Sequence, residues 1–204
     1  FLRELKSEAG KYIVLFVFIA GVIALVSGFL VASGSMSQAY DESFEKYNIE
    51  DGKFETEEKI YKNQQEDIEK KGVTLYENFY VEKALLNGTT LRIFKNRTKV
   101  DKVCLMKGKL PEKTGEIAID RMYADNNKLS VGDSLQSGKR KWKITGLVAL
   151  SDYSALFQNN NDTMFDAVKF GAAVVTEEEF SSFNQSQLVY NYAWTYIHKP
   201  KTEA

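Results

Sequence analysis

From Tyr12 to Tyr40 the chain carries no charged side chain, and Tyr12–Ala32 reads as one apolar block, YIVLFVFIAGVIALVSGFLVA. Roughly 20 apolar residues in a helix span the hydrocarbon core of a bilayer, about 30 Å. The block predicts a retained transmembrane helix over 12–34, with everything after it on one side of a membrane. A cleaved secretory signal is the rival reading. Its apolar stretch would be about 7–15 residues, followed by a small-residue cleavage site. The block here is longer, although Val31-Ala32-Ser33 and Ser37-Gln38-Ala39 pass as weak cleavage sites. A buried core helix is the third reading.

Flanking charge sets the expected orientation. Arg3, Lys6 and Lys11 precede the span, against Glu4 and Glu8. After it, Asp41, Glu42, Glu45, Glu50, Asp51, Glu55, Glu57 and Glu58 outnumber Lys46, Lys53 and Lys59. Lysine and arginine close to a span favour the cytoplasmic side. The expectation is a cytoplasmic lead-in over 1–11, with the larger domain outside the cell. Within the span, Ala20, Ala24, Gly28 and Ala32 recur every fourth position, with Gly21 beside them. Such a strip lets helix backbones approach closely in lipid. These four positions are the candidate helix-packing residues; chance is the bland alternative.

Residues 41–204 suffice for one domain of ordinary size. A net charge of −1 gives no field that calls for nucleic acid. Cys104 is the single cysteine, so the chain forms no internal disulfide, and its apolar setting predicts a buried, inert thiol. A helical stalk is expected over 35–51, broken at Gly52. An α+β domain is expected over 52–204.

The stalk is followed in sequence by a strand at Lys53–Thr56 and a polar helix over Glu57–Lys71, capped by Thr56 and closed by Gly72. Period-two patterns then predict strands at Val73–Tyr76 and Phe79–Leu85. Asn87-Gly88 marks a hairpin to Thr89–Phe94. Further strands fall at Val100–Met106, Glu116–Asp120, Lys141–Val148 (alternating, half-buried), Ala172–Val175 and Leu188–His198. Short helices are expected at Arg121–Lys128 and Thr163–Phe170. Thr176-x-x-Glu179 reads as a capping box opening another helix. The chain stops at Ala204 without a closing element, which predicts a domain cut from something longer.

No catalytic constellation emerges. His198 is the only histidine, and Gly-x-Ser-x-Gly, His-Glu-x-x-His and Cys-x-x-Cys are all missing from the sequence. So is Gly-x-x-x-x-Gly-Lys, so nucleotide hydrolysis would belong to a partner. The chain is expected not to be an enzyme, with no catalytic, cofactor or metal residues. The basic run Lys139-Arg140-Lys141-Trp142-Lys143 could meet anionic headgroups or cell-wall polymers. An exposed hairpin with alternating lysines is the plainer reading. Asn159–Asp162 has too few carboxylates for calcium.

Several segments together resemble a known family. An Arg3-Glu4-Leu5-Lys6 lead-in precedes a helix with Gly21 and Gly28, and a stalk follows through Met36 and Tyr40. Lys107-Gly108-Lys109-Leu110-Pro111 comes next, then Gly115-Glu116-Ile117-Ala118-Ile119-Asp120. Leu129–Leu135 leads into Trp142-Lys143-Ile144-Thr145-Gly146-Leu147-Val148. In order and spacing this resembles the FtsX-like (MacB-type) permease subunits of ABC transporters, in their first membrane helix and extracytoplasmic domain. Asp152-Tyr153 and Ala172–Phe183 resemble the longer Gram-positive members.

The resemblance implies further membrane helices, a cytoplasmic ABC ATPase partner, and a second permease copy as homo- or heterodimer. It also implies an outer domain moved by ATP hydrolysis, for export or mechanotransmission, which meets an extracellular protein or peptide. A ligand-sensing outer domain of a membrane-anchored signalling protein is the alternative. A singly anchored enzyme or cell-wall binding protein is a third.

Overall fold

The computed structural model describes residues 9–153, 156–158 and 166–198. The lead-in cations Arg3 and Lys6, the Asn159–Asp162 loop and the first residues of the helix expected from Thr163 lie outside them. The chain divides into two compact units, one up to Lys46 and one from Tyr47 onward.

The first unit is essentially one helix. α1 runs over Ala9–Tyr47, 39 residues, or about 58 Å at 1.5 Å per residue. It is apolar all round through Ala32, and none of its residues is buried: Phe16 is 72% and Leu25 74% exposed. Such a helix needs an apolar surrounding. It is long and apolar enough to cross a membrane. It ends on Asn48, which adopts the left-handed conformation (φ 47°). Asparagine is one of the few side chains tolerated there, and such residues commonly stop helices. The helix was expected to break at Gly52; Asn48 stops it four residues sooner.

The second unit is an α+β domain built on one mixed sheet. Its strands are β1 (Gly52–Thr56), β2 (Val73–Glu77), β3 (Tyr80–Ala84), β4 (Thr90–Lys95), β5 (Cys104–Gly108), β6 (Glu116–Asp120), β7 (Ser134–Ser137), β8 (Arg140–Ala149), β9 (Phe170–Val175) and β10 (Leu188–Tyr196). The order is β1-β10-β3-β4-β9-β6-β8-β5, with β2 also on β10 and β7 also on β8. β4 pairs with β9 in parallel, as does β6 with β8; the other pairs are antiparallel. Among the described residues three short α-helices accompany the sheet: α2 (Lys62–Glu69), α3 (Arg121–Asn126) and α4 (Glu177–Ser181).

The central strands β6 and β9 are buried at every position, EIAID and FGAAVV. Strands covered on both faces lose alternation and read as continuous apolar runs. β8 changes character along its length. It alternates through Lys143 and is then buried from Ile144 to Val148. Its first half pairs with the exposed hairpin strand β7, and its second half lies between β6 and β5. The expected half-buried alternation therefore holds only for the first half. Close approach fixes a glycine at Gly108, where φ is +77° and a Cβ would meet the Thr145 carbonyl oxygen at 2.3 Å.

Other expectations shift where tertiary contacts intervene. The polar helix begins at Lys62, not Glu57. Thr56 donates to the Glu58 carbonyl and the Ile60 amide donates to the Tyr192 hydroxyl, which holds 57–61 as a bend. The strand expected from Val100 begins only at Cys104. The amides of Asp101 and Lys102 donate instead to the carbonyls of Asn48 and Tyr47, at 3.0 and 2.8 Å. Thr176 caps α4 by accepting from the Glu179 amide. The reciprocal half of the capping box does not form, because the Glu179 carboxylate accepts from Trp142 Nε1, Arg140 and the Gly115 amide.

Candidate functional site

The densest polar chemistry in the sheet domain lies where the chain leaves α1. Tyr47–Asp51 is tied to the loop Lys99–Lys102 from several directions. Besides the two backbone bonds, Asn48 Nδ2 donates to the Lys99 carbonyl at 2.7 Å, and the Glu50 amide donates to Asp101 Oδ1 at 3.0 Å. The Tyr47 hydroxyl donates to Cys104 Sγ at 3.0 Å. Cys104 is half-buried rather than buried. A strand-like run predicted a core thiol, but β5 is the edge strand of the sheet and leaves Leu105 and Met106 exposed. On the other side, the Asp51 amide donates to the Trp194 carbonyl, and Asp51 Oδ2 accepts from the Tyr196 amide.

Beneath this joint lies a buried charge network. Arg97 donates both terminal nitrogens to Asp152, each at 2.7 Å, with side chains 5% and 1% exposed. The Arg97 guanidinium also sits 4.8 Å over the Phe94 ring. Asp101 is fully buried and Glu50 has a side chain only 10% exposed. Burial pushes the Asp101 carboxyl up, and the Asp152 charge adds to it, against Arg97. Burial and the Asp101 charge push Glu50 up to about 8, against Lys53.

The turn Ser151–Tyr153 serves two arginines at once. Asp152 binds Arg97, and the Tyr153 hydroxyl accepts from Arg92 at 2.8 Å. Arg92 also holds Glu82 (2.6 and 3.0 Å) and stacks 4.2 Å from the Tyr80 ring. Burial raises the Tyr153 hydroxyl to about 12, so it stays protonated at physiological pH. The Asp152-Tyr153 pair, noted in the sequence only for its family likeness, thus pins the end of β8 to β4 and the loop after it.

Beside the network a cleft of about 490 Å³ is lined by Asn78, Arg97, Lys95, Lys99, Glu77 and Glu177, among others. Its rim mixes both signs, and Lys95 pairs with Glu177 at 3.5 Å. The basic run over 139–143 is not a patch. Arg140 is committed to Glu179 and Ser182 and stacks on Phe183, Trp142 is buried, and only the three lysines point outward. His198 is exposed. Among the described residues no group of three or more His, Cys, Asp or Glu side chains is placed to hold a metal. Ala20, Ala24, Gly28 and Ala32 all lie exposed on α1, with open space around the Cβ position of Gly28. The joint was not singled out in the sequence. Its one legible trace was the cluster of carboxylates after the span, which reads there only as a charge count.

The chain is similar to several solved structures, two of which are described. One is the periplasmic region of MacB from Actinobacillus actinomycetemcomitans, at 10% identity and a TM-score of 0.37, covering 61% of this chain and 56% of that one. The other is a domain assigned to a permease protein from Porphyromonas gingivalis, at 14% identity and a TM-score of 0.31, covering 64% and 56%. The chain spans a little over half the length of each. No family model matches it, and no curated protein does.

Proposed function

We propose that the chain is the first membrane helix and outer domain of an FtsX-like (MacB-type) permease subunit of an ABC transporter, of the longer Gram-positive kind. In this reading α1 crosses the bilayer with its N-terminus in the cytoplasm, and the sheet domain is extracellular. A partner ATPase supplies the nucleotide chemistry, and a second permease copy completes the transporter. The observation that carries the reading is α1 itself. It is apolar all round from Tyr12 to Ala32, has no buried residue, and continues without a break to Tyr47, where the chain is knotted by hydrogen bonds into a sheet domain. The ordered motifs from Lys107 to Val148 support it. They pack on one another: the Lys109 amide donates to Thr145, Lys143 to Gly115, and Ile144 to Asp133.

The mechanism is mechanical. ATP-driven movement of neighbouring spans displaces α1, and the network at Tyr47–Asp51 passes that displacement to the sheet. Arg97, Asp152 and Arg92 stiffen the receiving end, because bidentate guanidinium–carboxylate pairs fix orientation as well as distance. The product is motion of an outer surface, for export or for activation of an extracellular protein or peptide.

The test is affinity purification of the full-length protein from solubilised native membranes. An ATPase bearing Gly-x-x-x-x-Gly-Lys should copurify, and Gly28→Leu should uncouple its ATP hydrolysis from export. Recovery without any such ATPase overturns the reading. The polar cleft beside Arg97 is the feature that favours the second reading, a ligand-sensing outer domain.

A further inference from the structure

We infer that Glu50 and Asp101 share a single proton, which makes the joint after α1 a latch that opens as pH rises. The inference concerns regulation of the domain and does not depend on the transporter reading. Asp101 and Asp152 both face Arg97, Glu50 faces the two aspartates, and Asp152 takes both terminal nitrogens of that guanidinium. Asn78 Oδ1 accepts from it as well, at 3.4 Å. Among the described residues Lys53 pairs with Glu50, at 3.8 Å, half-exposed and also set over the Tyr153 ring.

The remaining contacts of the pair come from neutral groups. Asp101 Oδ1 accepts from the Glu50 amide and, at 3.5 Å, from the Ser151 hydroxyl. Asp101 Oδ2 and Glu50 Oε2 are buried and find no donor among the described residues. Two ionised carboxylates placed this way repel, and each leaves an oxygen without solvent or partner, a costly arrangement. One proton resolves both defects, because Glu50 then donates to Asp101. Like-charged carboxyl pairs elsewhere titrate as a unit for the same reason.

The consequence falls on Tyr47–Asp51. Asp101 holds the left-handed conformation, φ 44°, and its loop donates to the Asn48 and Tyr47 carbonyls while Asp101 accepts from the Glu50 amide. Loss of the shared proton sets Glu50 against Asp101 across that contact. The sign follows from linkage. Glu50 binds its proton more tightly in the folded chain, with a midpoint at about 8 against the ordinary 4.5. The stabilisation is complete below the ordinary value and is lost as pH rises through about 8.

The experiment uses the full 204-residue chain in detergent micelles. Thermal unfolding from mildly acidic to alkaline pH should show Tm falling across the window, and Glu50→Gln should flatten that fall. Carboxyl NMR of the wild-type chain should show Glu50 titrating far above 4.5, and Asp101→Asn should move its midpoint downward. Amide exchange at Glu50, Asp101 and Lys102, corrected for base catalysis, should speed up by about tenfold or more above the midpoint while Ala173 in β9 stays protected. A Glu50 midpoint at the ordinary value overturns the inference, as does an unchanged pH dependence in Glu50→Gln.

Discussion

Arg97 shows how one buried residue can hold several elements. Its guanidinium is bound bidentately by Asp152 and lies over Phe94, and its neighbours Asp101 and Glu50 fix the segment after α1. Removing one member of a buried ion pair leaves the other charge without compensation, which costs about 3–5 kcal/mol. Arg97→Met should therefore destabilise the chain by that order, measured by urea unfolding in detergent. The double variant Arg97→Met/Asp152→Leu should recover much of the loss, because an apolar pair of similar volume needs no desolvation. A double variant no better than the single would mean that the guanidinium also neutralises Asp101 and Glu50. Glu179 on α4 plays a comparable part, where its carboxylate gathers Trp142, Arg140 and the Gly115 amide.

Among the elements, β5 and β8 carry the geometry that the motifs encode. Gly108 and Gly146 face each other across the pair, and each is crowded by backbone: a Cβ on Gly146 would meet the Lys109 carbonyl oxygen at 2.5 Å. Gly108→Ala combines that crowding with a positive φ and should cost about 2 kcal/mol or more, read as a lower urea midpoint. Gly138→Ala, also at positive φ but with open space around it, should cost about 1 kcal/mol. The motif that resembles the permeases, from Gly108 through Gly115–Asp120 to Trp142–Val148, is thus a packing signature of β5, β6 and β8. It was legible because such close approaches restrict residue choice. The Tyr47–Asp51 joint was not legible, because its partners at 97–102 and 151–152 are distant in sequence and carry no local pattern.

At the scale of the whole molecule, the decisive matter is which side of a membrane the sheet domain occupies. With the N-terminus in the cytoplasm, a cysteine at position 141 in a Cys104→Ser background should react with a membrane-impermeant maleimide on intact cells. Lys141 is exposed on β8, so reactivity reads topology rather than burial. Labelling only after lysis would reverse the orientation. The wild-type chain, whose one thiol, Cys104, accepts from the Tyr47 hydroxyl, should react more slowly on intact cells than that variant.

The sequence by itself determined the long apolar helix, the hairpin at Asn87-Gly88, the buried apolar strand at Ala172–Val175 and the Thr176 cap that begins α4. Each follows from local composition: a run of apolar side chains, a turn dipeptide, β-branched and small residues in series, a hydroxyl before a helix. Only the tertiary structure decided where α1 stops, that Val100–Val103 is a loop serving Asn48 and Tyr47, that Asp101 and Asp152 meet at Arg97, and that Glu50 lies against Asp101. The reason is physical. A buried charge and a left-handed residue are stable only when distant groups supply the hydrogen bonds and counter-charge, and no window of sequence contains those groups together.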